Sequence, residues 1–177
     1  MTKLDGWKKL LEFTITEFGH INILVHNAGT SHRNKPTMEV TEADFDRVFS
    51  VNVKSILHST AVLVPYLIEQ EQGGSIINVA SIGALRPRPG LMWYNASKGA
   101  VFNVTKGLAA EYGPKNIRFN GICPLLSGTG LFSAFVGVED TPENRSKFVG
   151  NVPMGRLADM YDVARSACSL PAMNRPS

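Results

Sequence analysis

Three short apolar runs, each separated from the next by a whole helix's worth of residues, constrain the fold of this chain more than any other feature. Ile21, Ile23, Leu24 and Val25 form the first, residues 75–79 the second and residues 117–122 the third. Apolar residues at successive rather than alternate positions predict strands buried on both faces. Between the runs the period changes. Leu4, Trp7, Leu11, Ile15 and Phe18 recur at three-to-four spacing, which predicts a helix stopped by Gly19. Residues 30–40 are polar, contain Pro36 and read as a loop. Thr41 with Asp44 three residues on is a capping pair, opening a long helix whose stripe carries Phe45, Val48, Asn52, Ile56, Leu63 and Leu67. Pro65 should disturb that helix and Gly73-Gly74 end it. A loop holding Pro87, Pro89 and Gly90 leads to a helix over about 93–112, closed by Gly113-Pro114. After the third run come a loop from Pro124 to about Gly137, polar helical patches and a last helix around 160–170.

Strands joined through helices pair in parallel by right-handed crossovers, so the expected class is α/β: a partial doubly wound, Rossmann-like parallel sheet with helices on both faces. At 177 residues, 44% hydrophobic and 19% charged, the chain has material for one core. The domain is expected over 1–170, with a disordered tail over 171–177. No uninterrupted run of 18 apolar residues occurs, and Met1 to Asp5 lack the basic-then-apolar layout of a secretory leader, so no membrane partner and a cytosolic address are expected. The net charge of +3 is scattered, which gives no nucleic-acid surface. Cys123 and Cys168 offer neither a disulfide framework nor metal-ligand spacing, so both should be reduced and no metal centre is expected.

In a parallel α/β sheet the chemistry gathers at the carboxyl ends of the strands. Those ends carry Asn27-Ala28-Gly29, Ala80-Ser81 and Cys123-Pro124. Tyr94 and Lys98 lie at i, i+4 on the following helix, so phenol and ammonium share a face. A nearby ammonium favours phenolate and lowers the tyrosine pKa, and a serine hydroxyl can hydrogen-bond a carbonyl oxygen.

Asn27-Ala28-Gly29, Asn52 within Val51-Asn52-Val53, Ser81 thirteen residues before Tyr94, and Tyr94-Asn95-Ala96-Ser97-Lys98 together resemble the short-chain dehydrogenase/reductase family, over about residues 4–170. Tyr-x-x-x-Lys alone is a weak signal; joined to the serine, the strand-end Asn-Ala-Gly and the strand–helix order it becomes a strong one. The resemblance implies a catalytic tetrad: Tyr94 as acid/base, Ser81 as polariser of the substrate oxygen, Lys98 as holder of the nicotinamide ribose, and Asn52 as anchor of a relay water. It implies NAD or NADP as cofactor, with Asn27, Ala28, Gly29, Pro124 and Thr129 in contact with it, and a small-molecule carbonyl or alcohol as substrate. Leu125 stands where the family usually has Gly, and Ser127 where it usually has Val or Ile. A homodimer or homotetramer built on the helices over 41–71 and 93–112 is a further implication.

Each residue also has an ordinary structural reading. Asn27-Ala28-Gly29 can be a strand-end turn, Asn52 a polar residue in a helix bend and Ser81 a cap. His26 is expected as a satisfied core residue, Arg86 and Arg88 as solvated loop side chains rather than contacts to an anionic substrate or phosphate, and Leu91, Met92 and Trp93 either as packing or as a substrate wall beside Tyr94. The family's Thr-Gly-x-x-x-Gly-x-Gly phosphate loop does not occur in these 177 residues. The resemblance therefore implies a chain lacking that amino-terminal segment and the last strand. Weak cofactor affinity, no encoded choice between NAD and NADP, and an open edge at the first strand are expected. A non-catalytic remnant or interaction protein is the alternative.

Overall fold

Residues 2–128, 130–150 and 152–171 are described by the computed structural model of the chain. The first helix, α1 (Leu4–Phe18), ends where the glycine predicts. Gly19 turns to φ 79°, and its N–H returns to the Ile15 carbonyl at 2.8 Å. Strand β1 (Ile23–His26) follows, then α2 (Glu42–Phe49), a π-helical turn (Ser50–Lys54) and α3 (Ser55–Glu69). Strand β2 (Gly74–Val79), α4 (Met92–Tyr112) and β3 (Ile117–Ile122) come next, then α5 (Phe132–Val136), α6 (Pro142–Val149) and α7 (Met160–Ser169). The predicted loop over 30–40 contains one tight turn, Thr37–Glu39.

The disturbance expected at Pro65 falls elsewhere. Pro65 sits inside α3 without ending it, among the buried Leu63, Val64 and Leu67, whose packing outweighs one missing ladder bond. The long helix widens instead at Ser50–Lys54, around the buried Asn52. Its start is as predicted: the Thr41 hydroxyl accepts the Asp44 N–H at 3.1 Å. Replacing Thr41 with Ala should cost about 1 kcal/mol, read as a lower melting temperature with unchanged strand content.

The three strands pair in parallel in the order β1-β2-β3, with Ile23 opposite Ser75 and Ser75 opposite Arg118. Leu63, Val64 and Leu67 from α3 meet Ile76, Ile117 and Phe119 in the main core, with Leu11, Leu108 and Tyr112 packed against it. Ile56, Ala80 and Val101 form a second cluster nearer the strand ends. Helices α1, α3 and α4 thus cover one face. On the other, Arg118 donates to the carbonyls of Leu170 and Pro171, fixing the end of α7 over β3.

This arrangement leaves β1 with the open edge expected, but corrects the expectation that the strand is buried on both faces. Ile23 and Val25 are 46% and 43% exposed, while Ile76 and Ile77 of β2 are buried. The cause is position: β1 is an edge strand, and α7 reaches only the β3 side of that second face. By length and composition alone, Glu42–Glu69 is apolar enough to cross a bilayer, with a mean hydropathy of 1.3. Here its buried side packs on the sheet and its polar Asn52, Ser55 and Ser59 are all hydrogen-bonded within the protein. Cys123 and Cys168 are both free thiols.

Candidate active site

The carboxyl ends of the strands bring most of the predicted residues into one neighbourhood. A tight turn after β1, in which the Asn27 N–H meets the Val25 carbonyl at 3.0 Å, leaves Asn27, Ala28 and Gly29 exposed. A Cβ placed on Gly29 would stand 3.4 Å from both Asn52 Oδ1 and Lys98 Nζ, so the turn, the π-helical segment and α4 converge on this glycine. Asn52 is 4% exposed. Its Oδ1 accepts the Thr30 N–H at 2.9 Å, and its Nδ2 donates to the Thr30 carbonyl at 2.9 Å and to Ser97 Oγ at 3.0 Å. Ser97 Oγ in turn donates to the Tyr94 carbonyl at 2.7 Å. Both amide hydrogens of Asn52 are spent in these bonds, so its side chain ties the β1 turn to α4, and only the second lone pair of Oδ1 is open to a water. A widened helical turn that delivers one buried polar side chain in this way is a recurrent device at functional sites.

Tyr94 and Lys98 lie one turn apart on α4 and are 8% and 6% exposed. The Lys98 ammonium donates to the Val79 carbonyl at 2.7 Å and stands 6.0 Å from the centre of the Tyr94 ring. Burial lowers its pKa to about 8, against a smaller opposing influence from the Cys123 side chain. Tyr94 moves the other way from the sequence-based expectation. Burial pushes its phenol above the ordinary value, and the hydrogen bond from Ser81 only partly offsets that. The reason lies in the surroundings: the Phe135 ring from α5 lies 4.9 Å from the Tyr94 ring and shuts out solvent. Ser81 has extended backbone at the end of β2, and its Oγ accepts the Gly83 N–H at 3.1 Å, so it is both a cap and a hydroxyl within reach of Tyr94.

Pro124 follows β3, and its carbonyl accepts the Ile82 N–H at 3.0 Å, holding the ends of β2 and β3 together. Leu125 is exposed and Ser127 bridges Ala158. Thr129 and residues 172–177 lie outside the described residues. His26 is the satisfied core residue expected, with Nε2 2.9 Å from Ser59 Oγ and its ring against Trp7. Arg88 departs from the solvated reading: its guanidinium donates to the Phe135 carbonyl at 2.6 Å and lies over the Phe148 ring. Trp93 packs edge-on against Phe45, whereas Met92 is exposed. Thr30, Ser97 and Phe135 were not singled out from the sequence. Ser97 had a readable signal, three residues from Tyr94 on the same helical face; the contacts of Thr30 and Phe135 come only from the tertiary fold.

Residues 1–173 match the protein family described as enoyl-(acyl carrier protein) reductase. A 4-formylbenzenesulfonate dehydrogenase of Comamonas testosteroni is 41% identical over 170 residues, which make up 96% of this chain and 67% of that protein. The chain belongs to the short-chain dehydrogenase/reductase family. Another family member, the 3-oxoacyl-[acyl-carrier-protein] reductase FabG of Thermotoga maritima, is 34% identical, with 93% of this chain and 64% of that one aligned. This short-chain dehydrogenase/reductase therefore spans about two thirds of the length of these relatives. Among solved structures, a 3-ketoacyl-(acyl-carrier-protein) reductase from Brucella melitensis complexed with NADH superposes with a TM-score of 0.89 at 39% identity, over 96% of this chain and 68% of that one.

Proposed function

We propose that this chain carries the catalytic part of an NAD(P)-dependent oxidoreductase that interconverts a carbonyl and an alcohol. The observation that carries the reading is the meeting of the Tyr94 phenol, the Ser81 hydroxyl and the buried Lys98 ammonium at the strand ends. The residues fit the nicotinamide-ribose end of such a cofactor. Gly29 leaves open backbone beside Lys98, and Lys98 spends one N–H on Val79 while its others can reach ribose hydroxyls. Bound there, the nicotinamide would give or take the hydride. Ser81 would hold the substrate oxygen, its own Oγ fixed by the Gly83 N–H. Tyr94 would pass its proton to that oxygen, and burial suits it to this by keeping the phenol protonated at neutral pH. Lys98 would keep its charge below about pH 8 and balance the phenolate left behind.

The test is NADH and NADPH oxidation at millimolar cofactor with a panel of aromatic aldehydes and 3-oxoacyl thioesters, the classes named for the relatives. At least one carbonyl should be reduced, and Lys98→Met should lower kcat/KM by about 10- to 100-fold. No turnover across the panel, or turnover indifferent to Lys98→Met, overturns the reading. The same proposal takes the protein as cytosolic, in keeping with two unpaired thiols, and as a homodimer or homotetramer. Leu57 on α3 is 65% exposed and Val104 on α4 is 37% exposed, which supports contact through those helices; sedimentation measures it.

A further inference from the structure

Helix α5 has five residues, too few to be stable alone, and nearly all its carbonyls lack partners inside it. Its position is therefore decided by whatever grips it from outside. Asn34 donates its backbone N–H to the Ala134 carbonyl at 2.7 Å and its Nδ2 to the Phe135 carbonyl at 3.0 Å. Arg88 Nη2 donates to the same Phe135 carbonyl at 2.6 Å, and its guanidinium lies 5.6 Å from the centre of the Phe148 ring. Two side chains from two different loops thus converge on one carbonyl, and that carbonyl belongs to the residue whose ring covers Tyr94.

Both loops are themselves anchored. The Lys35 N–H meets the Gly90 carbonyl at 3.1 Å. Gly90 has φ +82°, and a Cβ there would run into the Asn34 amide. Gly137, at φ +77°, would bring a Cβ to 3.4 Å from the Asn34 Cβ. Asn34 is therefore closely packed between the loop that carries Arg88 and the end of α5. Asn95, the neighbour of Tyr94 on α4, donates to the Arg88 carbonyl at 3.0 Å and closes the circuit onto the catalytic helix.

We propose that Asn34 and Arg88 are positioning residues that fix Phe135 over the Tyr94 ring and so set the width of the substrate pocket. The consequence for substrates rests on the oxidoreductase reading; the clamp itself does not. Phe135 can form one wall beside the phenol, and these three hydrogen bonds hold its backbone from outside α5. Loosening them should let bulkier carbonyls in and deprive small ones of their contact.

Amide hydrogen exchange on Arg88→Ala, Asn34→Ala and Arg88→Lys, each with the chain otherwise intact, tests the clamp. Amides over 131–149 should exchange about tenfold faster in the two alanine variants, while those of β2 and α4 keep their native rates. Arg88→Lys, which restores one donor and the positive charge, should recover part of the protection. In the carbonyl assay, the ratio of kcat/KM for a bulky against a small aldehyde should rise about tenfold, mainly through KM. A rise in exchange spread evenly over the chain, no rise over 131–149, or an unchanged selectivity ratio overturns the proposal. If the native chain reduces no carbonyl, the oxidoreductase reading falls and the exchange result alone decides the clamp.

Discussion

Tyr94→Phe should abolish nearly all carbonyl reduction, by roughly 100- to 10,000-fold in kcat, while leaving the protein folded. The asymmetry follows from where each part of the side chain sits. The ring packs against Phe135 at 4.9 Å and lies below the Lys98 ammonium, and phenylalanine keeps both contacts. Only the hydroxyl goes, with the hydrogen bond its oxygen accepts from Ser81. Losing one such bond costs about 1 kcal/mol of stability. Losing the proton donor removes roughly 3–5 kcal/mol of transition-state stabilisation, since each tenfold is 1.36 kcal/mol. A coupled NAD(P)H assay beside a thermal melt separates the two. Turnover within about threefold of the native chain would exclude Tyr94 as the acid.

The direction of the Tyr94 shift adds a pH signature. A phenol raised by burial stays protonated at neutral pH and is ready to donate, which favours reduction. Alcohol oxidation needs the phenolate and should therefore speed up as the pH rises. Above about pH 8, Lys98 loses its charge and can no longer support that phenolate. The two titrations belong to one coupled pair, so a pH–rate profile reports them jointly.

Much of this site was legible because its residues are bound by local spacing. Tyr94 and Lys98 share a helix face, Ser81 follows a strand that reads as apolar, and Gly19 and Thr41 mark helix ends by backbone chemistry that needs no tertiary information. What was illegible depends on contacts between distant segments. Nothing near Asn34 or Arg88 in the chain announces a grip on Phe135, which lies 101 and 47 residues further on. The shift of Tyr94 escapes the sequence for the same reason: a one-turn spacing shows a cation nearby, but not a phenyl ring from α5 packed over the phenol. Proline is a strong local signal and points to a break at Pro65, whereas the widening at Asn52 is set by its partners in the loop at Thr30. Exposure of Ile23 and Val25 was missed because an apolar run states what a strand is fit for, and its neighbours decide whether that fitness is used.

Acid should destabilise this fold by about 3 kcal/mol between pH 6.5 and 4 through His26 alone. Burial lowers its pKa from 6.5 to about 4 in the folded state, where Nε2 faces Ser59 Oγ at 2.9 Å and the ring packs on Trp7. Ser59 directs its own proton to the Ile56 carbonyl at 2.9 Å, so a neutral imidazole with hydrogen on Nε2 satisfies the pair. The sign is fixed by where the proton binds better. Between the two pKa values the unfolded chain holds the proton and the folded chain does not, so each step down in pH favours unfolding until about pH 4, where the folded form protonates as well. Asp44 acts in a different window. Its hydrogen bond to Lys35 holds the carboxyl down at about 2, so its stabilisation is intact above 3.8 and is lost only below that. Urea unfolding midpoints measured at intervals from pH 7 to pH 3 should therefore fall steadily in the native chain from about pH 6.5 downward. His26→Asn, which cannot titrate, should remove most of that slope while leaving any loss below pH 3.8. A slope that persists in His26→Asn would place the acid sensitivity on another group.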